Sequence, residues 1–220
     1  MKSIVQIFQI QSNEENIEFS RVKKHEIKYN GNGFFISKDG YLASVAHVIK
    51  NEGNSYALCN GNLHKIEIIE RELTERNESH NDSVIGKIGD NPNIGCIEDV
   101  RFADVAEGMN ICIKGYSSIF NNCTKNAEIP KELRLIEIQS FCFDTTYYSS
   151  DKRIPMHNFF TFIIDGENHG GLSGSPIINE QNNIVGIFKG TAQDEKKIKT
   201  WGLALHIRVI EKMSQNIQNK

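Results

Sequence analysis

Apolar runs of four to eight residues, punctuated by Gly, Asn and Asp, recur along most of the chain and leave it little option but β-structure. Runs at 34–37, 41–45, 66–69, 84–88 and 111–115 read as strands of a first barrel, preceded by a strand at 4–10. A second set opens at 133–143, with Leu133, Leu135, Ile136, Ile138 and Phe141, and continues at 159–164, 176–178, 184–189 and 199–205. The polar stretch 117–131 reads as the connection between the two barrels, and the polar stretches 70–81 and 144–158 as solvated loops. Near the end, Ile207, Ile210, Met213 and Ile217 recur at helical spacing and predict one amphipathic helix packed on the core. The 220 residues suffice for two compact barrels sharing one cleft.

Onto this frame the sequence sets the parts of a nucleophilic site. A serine hydroxyl is a poor nucleophile at neutral pH, so a neighbouring imidazole must take its proton during attack on a carbonyl. Ser173, within Gly171-Leu172-Ser173-Gly174-Ser175-Pro176, is the candidate nucleophile, and His47, closing Ser44-Val45-Ala46-His47, is the candidate base. Asp82 is the candidate carboxylate that fixes the imidazole tautomer and stabilises the imidazolium, a role worth roughly ten-thousand-fold in rate. Glycines beside Ser173 let the backbone turn sharply, so that the amides of Gly171 and Ser173 can converge on a developing oxyanion. The chain order His, Asp, Ser differs from the orders found in subtilisin-type and α/β-hydrolase triads.

Gly33-Phe34-Phe35-Ile36-Ser37, followed by Gly40-Tyr41-Leu42-Ala43-Ser44-Val45-Ala46-His47, resembles the strand pair that delivers the histidine in trypsin/chymotrypsin-like serine proteases. Asn81-Asp82-Ser83-Val84-Ile85-Gly86-Lys87-Ile88 resembles their aspartate strand. Ile184-Val185-Gly186-Ile187-Phe188 and Trp201-Gly202-Leu203-Ala204-Leu205 resemble the strands that wall their primary specificity pocket. The resemblance implies an all-β fold of two six-stranded antiparallel barrels with a C-terminal α-helix. Residues 1–116 would carry His47 and Asp82, and residues 117–220 would carry Ser173, together forming one protease domain. It also implies a serine endopeptidase that acts on protein or peptide substrates through an acyl-enzyme, with no cofactor and no metal. In trypsin-like zymogens an Asp precedes the serine and pairs with a released N-terminus; Leu172 stands there instead, so that switch is missing. Proteases of the high-temperature-requirement type likewise lack that Asp and lack disulfides. They have a Gly-aromatic-Ala-aliphatic strand where this chain has Gly202-Leu203-Ala204-Leu205, which makes them the nearer branch. The family's spacing places Glu167 near the base of the primary pocket, where a carboxylate favours Arg or Lys before the scissile bond. Gly202 would keep that pocket open, and Lys189 on an adjacent wall would be able to neutralise Glu167. An exposed loop carboxylate is an equal alternative for Glu167, and His169 reads as a loop residue.

The net charge of −3 offers no electrostatic footprint for nucleic acid. No uninterrupted apolar run approaches the roughly 18–20 residues of a membrane span, and 4–10, broken by Gln6 and Gln9 after a single Lys2, makes a poor signal peptide. Cys59, Cys96, Cys112, Cys123 and Cys142 are odd in number and form no C-x-x-C, so they read as small apolar fillers. With Val48 where secreted relatives carry a bridged cysteine, they point to a reducing, cytoplasmic setting. His25, His64, His80, His157 and His206 show no metal-binding spacing. By analogy, a small protease of this kind resembles intracellular bacterial stress or antiphage effectors held inactive until a regulatory protein partner acts. A catalytically inactive protease fold used as a binding or scaffolding module is the alternative from another class, since fold does not guarantee chemistry. An esterase would use the same acyl-enzyme chemistry.

Overall fold

The computed structural model describes residues 3–23, 26–50, 54–73, 82–89, 101–118, 133–148, 155–164, 170–193 and 200–218. The first sheet contains β1 (Ile4–Ile10), β2 (Asn16–Glu18), β3 (Ile27–Phe35), β4 (Tyr41–Ser44), β5 (Asn54–Cys59), β6 (Asn62–Leu73) and β7 (Asp82–Ile88), in the order β2-β6-β5-β1-β3-β4-β7. Because β6 also pairs with β7, six of these strands close into a barrel and β2 lies outside as an edge. β6 closes the barrel by serving two neighbours in succession: Asn62–Lys65 pair with β5 and Ile66–Leu73 with β7. A register shift between Ile68 and Glu70 marks a bulge there, the usual device for bending a strand around a barrel.

The second barrel is formed by β8 (Asn110–Ser118), β9 (Leu133–Asp144), β12 (Phe159–Ile163), β13 (Pro176–Asn179), β14 (Ile184–Gln193) and β15 (Thr200–His206), closed in the order β12-β15-β14-β13-β8-β9. β10 (Tyr147–Tyr148) and β11 (Pro155–Met156) form a small separate hairpin. α1 (Ile207–Gln218) follows β15 directly and buries Ile207, Val209, Ile210 and Met213. The protein is thus two six-stranded antiparallel barrels with one C-terminal helix, as the sequence predicts.

Six elements depart from the sequence reading. Residues 111–115, expected in the first barrel, lie in β8, which pairs with β9 from Asn110↔Phe141 to Ser118↔Leu133 and with β13. Apolar side chains on both faces of β8 explain the error: Ile111 and Ile113 enter the second barrel's interior while Cys112 faces the core between the barrels. Residues 117–131 therefore link neighbouring strands of one barrel, and the crossing between barrels falls between Ile88 and Asn110, so a division after residue 116 would cut β8. Part of that crossing, at Arg101 and Ala103, hydrogen-bonds both backbone groups of Ile184 at the start of β14. The stretch 70–81, read as a loop, begins as strand because β6 continues to Leu73 opposite Asp82. The 144–158 stretch contributes the β10 and β11 hairpin; β2, where Ile17 is the one apolar residue, and β5, with the apolar run Tyr56-Ala57-Leu58-Cys59, escaped the sequence reading.

One apolar cluster holds the two barrels together. It joins Val5, Ile7, Phe34 and Val48 of the first half to Phe159, Ile187 and Leu205 of the second, with Ile210 and Met213 of α1. Burying each such side chain contributes about 1.5–3 kcal/mol, so the seam between the barrels is core rather than a hinge. Among the described residues, no helix is long and apolar enough to cross a membrane.

Candidate active site

Asp82 opens β7 with its side chain only 5% exposed, and both carboxylate oxygens are turned on one residue. Oδ2 meets His47 Nδ1 at 2.7 Å, and Oδ1 accepts the backbone N–H of His47 at 3.0 Å. His47 itself sits in a turn just after β4, pinned by Val45, Ala46, Val48 and Ile49, all fully buried. Arg71 of β6 donates to the Ala46 carbonyl at 3.1 Å from the same side. The His47 ring is 43% exposed, so an Nδ1–H committed to the buried Asp82 leaves the Nε2 lone pair toward the open side. Burial works to raise the Asp82 pKa, but the hydrogen bond and charge of His47, with the Lys189 ammonium, outweigh it and hold the carboxyl below its ordinary value.

Ser173 lies in the turn that leads into β13, pressed against β3 of the other barrel. Gly174 at φ +84° makes that contact feasible: a Cβ there would stand 1.9 Å from the Asn32 carbonyl oxygen and 2.4 Å from Ser44 Oγ. The Asn32 N–H donates to the Ser173 carbonyl at 2.7 Å, and Gly174 N–H donates to the Phe188 carbonyl at 2.8 Å. Asn32, fully buried, then uses its whole side chain. Its Oδ1 accepts from Tyr116 N–H at 2.9 Å, and its Nδ2 donates to the carbonyls of Tyr116 at 3.0 Å and Gly171 at 2.8 Å. The Tyr29 hydroxyl, its pKa driven well above the usual tyrosine range by burial, reaches the same two carbonyls at 2.9 and 3.0 Å. Ser117 Oγ donates to the Gly170 carbonyl at 3.0 Å. Since peptide groups are planar and trans, holding the Gly170 carbonyl also fixes the direction of the Gly171 N–H. Among the described residues, neither that N–H nor the N–H of Ser173 meets a backbone acceptor. Leu172 points the other way, fully buried with Phe160, Ile177 and Val185.

The Ser173 hydroxyl donates to the Lys189 carbonyl at 3.0 Å, and its single proton is therefore not offered to His47. Lys189 links the site together, because its Nζ stands 3.5 Å from Asp82 Oδ2 and 4.7 Å from the centroid of the Phe159 ring. This differs from the expectation that Lys189 walls the pocket against Glu167: its described charged partner is Asp82. Gly202 also has another role, since the space a Cβ would take is filled by the Phe162 ring at 2.1 Å. Glu167 and His169 lie outside the described residues. Asn32, Tyr29 and Ser117 escaped the sequence reading. The one signal available was a polar residue between two glycines, Gly31-Asn32-Gly33, just before the apolar pair Phe34-Phe35.

A family model described as the trypsin-like peptidase domain matches residues 31–187, more than half of the chain and including His47, Asp82 and Ser173. The chain belongs to the trypsin-like peptidase family. Among solved structures, this peptidase domain is similar to the MamO protease domain from Magnetospirillum magneticum in its apo form, at 13% identity and TM-score 0.60 over 96% of this chain and 95% of that one. It is also similar to the inactive form of the Rv3671c protease of M. tuberculosis, at 16% identity and TM-score 0.63 over 97% and 88% of the two chains. The HtrA-type protease AlgW with a decapeptide matches at 14% identity and TM-score 0.64, over 99% of this chain and 65% of that one. At these identities the likeness is one of fold. No curated protein matches the chain. Among the described residues of the peptidase domain, no group of three His, Cys, Asp or Glu is placed to hold a metal. Cys59, Cys112 and Cys142 are free, and burial pushes the Cys142 thiol up to about 11; Cys96 and Cys123 lie outside the described residues.

Proposed function

We propose that this peptidase domain is a serine endopeptidase in which Ser173 Oγ attacks the scissile carbonyl, His47 Nε2 takes the serine proton, and Asp82 holds the imidazole. His47 then returns that proton to the leaving amine, and a water, activated the same way, releases the acyl group from Ser173. The observation that carries this reading is the Asp82 grip on His47: a buried carboxylate bound to Nδ1 at 2.7 Å beside a half-open imidazole. A role for the Gly171 and Ser173 amides as the oxyanion site is supported by their freedom from backbone acceptors among the described residues. A protein or peptide substrate suits the backbone beside the serine. Among the described residues, β14 pairs with β15 alone from Gly190 to Gln193, leaving an edge on which an extended peptide can add as a strand.

The direction of the Ser173 hydroxyl favours a second reading, a protease fold serving as a binding module, or a peptidase switched on when a regulatory protein partner turns that hydroxyl toward His47. Intact mass after incubation with a fluorophosphonate separates the cases. A single adduct on wild type and none on Ser173→Ala supports the peptidase. An unlabelled, folded wild type rejects an assembled site in the isolated chain, and labelling restored by a bound protein identifies the regulated form. Comparing matched peptide amide and ester substrates then distinguishes peptidase from esterase.

A further inference from the structure

A register shift between Phe188 and Gly190 leaves Lys189 as the extra residue of a bulge in β14 opposite β15. Bulges re-aim side chains, and this one lies where the two barrels meet. Phe188 enters the interior of the second barrel, while the Lys189 side chain crosses the Phe159 ring at 4.7 Å and reaches Asp82 Oδ2 at 3.5 Å. A lysine loses rotamer freedom when held in one place. Here it is held with 27% of its side chain exposed, against a carboxylate that is 5% exposed. Oδ2 is also the oxygen that meets His47 Nδ1, so an ammonium and an imidazole share one acceptor atom. Through its carbonyl the same residue accepts the Ser173 hydroxyl at 3.0 Å.

We propose that Lys189 is a positioning residue that keeps His47 neutral, and so available as a base, by placing a positive charge against the Asp82 oxygen that also holds the ring. The proposal rests on the peptidase reading for its meaning in catalysis, though not for its electrostatics. An imidazolium at His47 would face a cation across Oδ2, and that repulsion favours the neutral ring at mildly acidic pH. The sharing has a second effect: it weakens the pull of Asp82 on the imidazolium formed during attack, trading some rate for a wider acid range.

Other charged and titratable groups stand on the elements around the site. Arg71 of β6 binds the Ala46 carbonyl beside His47 at 3.1 Å and acts in the same direction, with Glu70 and Glu72 flanking it on that strand. Lys87, at the other end of β7, lies over the Tyr41 ring at 5.4 Å. His206 of β15 is bonded to the Thr145 carbonyl at 2.9 Å, Tyr29 of β3 to the carbonyls of Tyr116 and Gly171, and Arg208 of α1 to the His157 carbonyl. Of these described groups, only Lys189 forms an ion pair with Asp82 besides His47.

The test is an NMR titration of the His47 ring, assigned through His47→Gln, in wild type, Lys189→Met and Lys189→Arg. Met keeps the apolar stem over Phe159 and removes the charge, whereas Arg restores it. The expected result is a His47 midpoint about one pH unit higher in Lys189→Met, with solvent access to the ammonium limiting the shift, and a return toward wild type in Lys189→Arg. The rate of fluorophosphonate labelling should follow, its acid limb moving up by the same amount. Superimposable titrations of wild type and Lys189→Met overturn the proposal, and Lys189→Gln replaces the Met variant if circular dichroism shows that Met does not fold. A wild type that takes no fluorophosphonate counts against an assembled peptidase site in the isolated chain and not against the proposal, because the titration still decides what Lys189 does to His47.

Discussion

Asn32 stands in the sequence between two glycines, and each of its polar atoms finds a partner, four contacts crossing to the second barrel and one staying with Ser44. Replacing it with Ala removes the side-chain bonds and leaves buried groups of Tyr116 and Gly171 short of partners. Asn32→Ala is therefore expected to lower the unfolding free energy in urea by about 3 kcal/mol. It should also slow fluorophosphonate labelling, because the Gly171 carbonyl loses one of its two anchors. Asp82→Asn keeps the shape of the His47 contact and changes the tautomer it selects; on the peptidase reading, peptide cleavage should fall by about ten-thousand-fold with the melting temperature little changed. His47, Asp82 and Ser173 were legible as candidates because the chemistry proposed for them demands particular residue types next to recognisable glycines and strands. The buttress of Asn32, Tyr29 and Ser117 was not, because an amide and two hydroxyls acquire a role only when residues about 50 to 140 positions apart are brought together. Lys189 was noticed, but its contact with Asp82 was not foreseen. A bulge decides which way it points, and bulges leave no trace in the apolar pattern.

Among the elements, most strands were read from short apolar runs, β4, β7 and β13 burying nearly every residue, and α1 from its spacing of Ile207, Ile210 and Met213. β8 shows the limit of that reading. A strand apolar on both faces fits either of two barrels, and its register with β9 and β13, which settles the question, depends on residues far along the chain. α1 packs against β6 and β7 of one barrel and β14 and β15 of the other, with Ile210 fully buried. Ile210→Ala should cost about 2–5 kcal/mol, measurable by urea unfolding. In the serine turn, Gly174→Ala meets both an unfavourable φ of +84° and the Asn32 carbonyl, so the turn must move away from β3. Such a variant is expected to fold with reduced melting temperature and to lose labelling at Ser173, and unchanged labelling would show that the turn tolerates the shift.

At the scale of the molecule, buried titratable groups set the pH range of stability. Burial holds the His206 imidazole below its ordinary value of 6.5, so its contribution is present above that pH and is lost as pH falls through the folded-state value. Asp82, lowered from 3.8, has the same sign and withdraws its share at still lower pH. Tyr29, raised above 10.0, works in the opposite sense: its contribution is complete below that pH and declines as pH climbs toward the folded-state value. Thermal melts should therefore show a plateau between about pH 6.5 and pH 9, where the buried Cys142 thiol, raised from 9.0, begins to act in the same sense as Tyr29, with stability falling on both sides. The apolar seam common to both barrels also predicts a single calorimetric transition rather than two. That seam bears on synthesis as well. α1 follows every strand in chain order and contacts both barrels, so a first barrel emerging from the ribosome presents an uncovered apolar flank until the serine turn, the second barrel and the helix arrive. The seam at which the Ser173 turn meets the first barrel is thus completed last in biogenesis, and a nascent chain stalled before residue 207 should carry the strands of both barrels with that seam still lacking Ile210 and Met213.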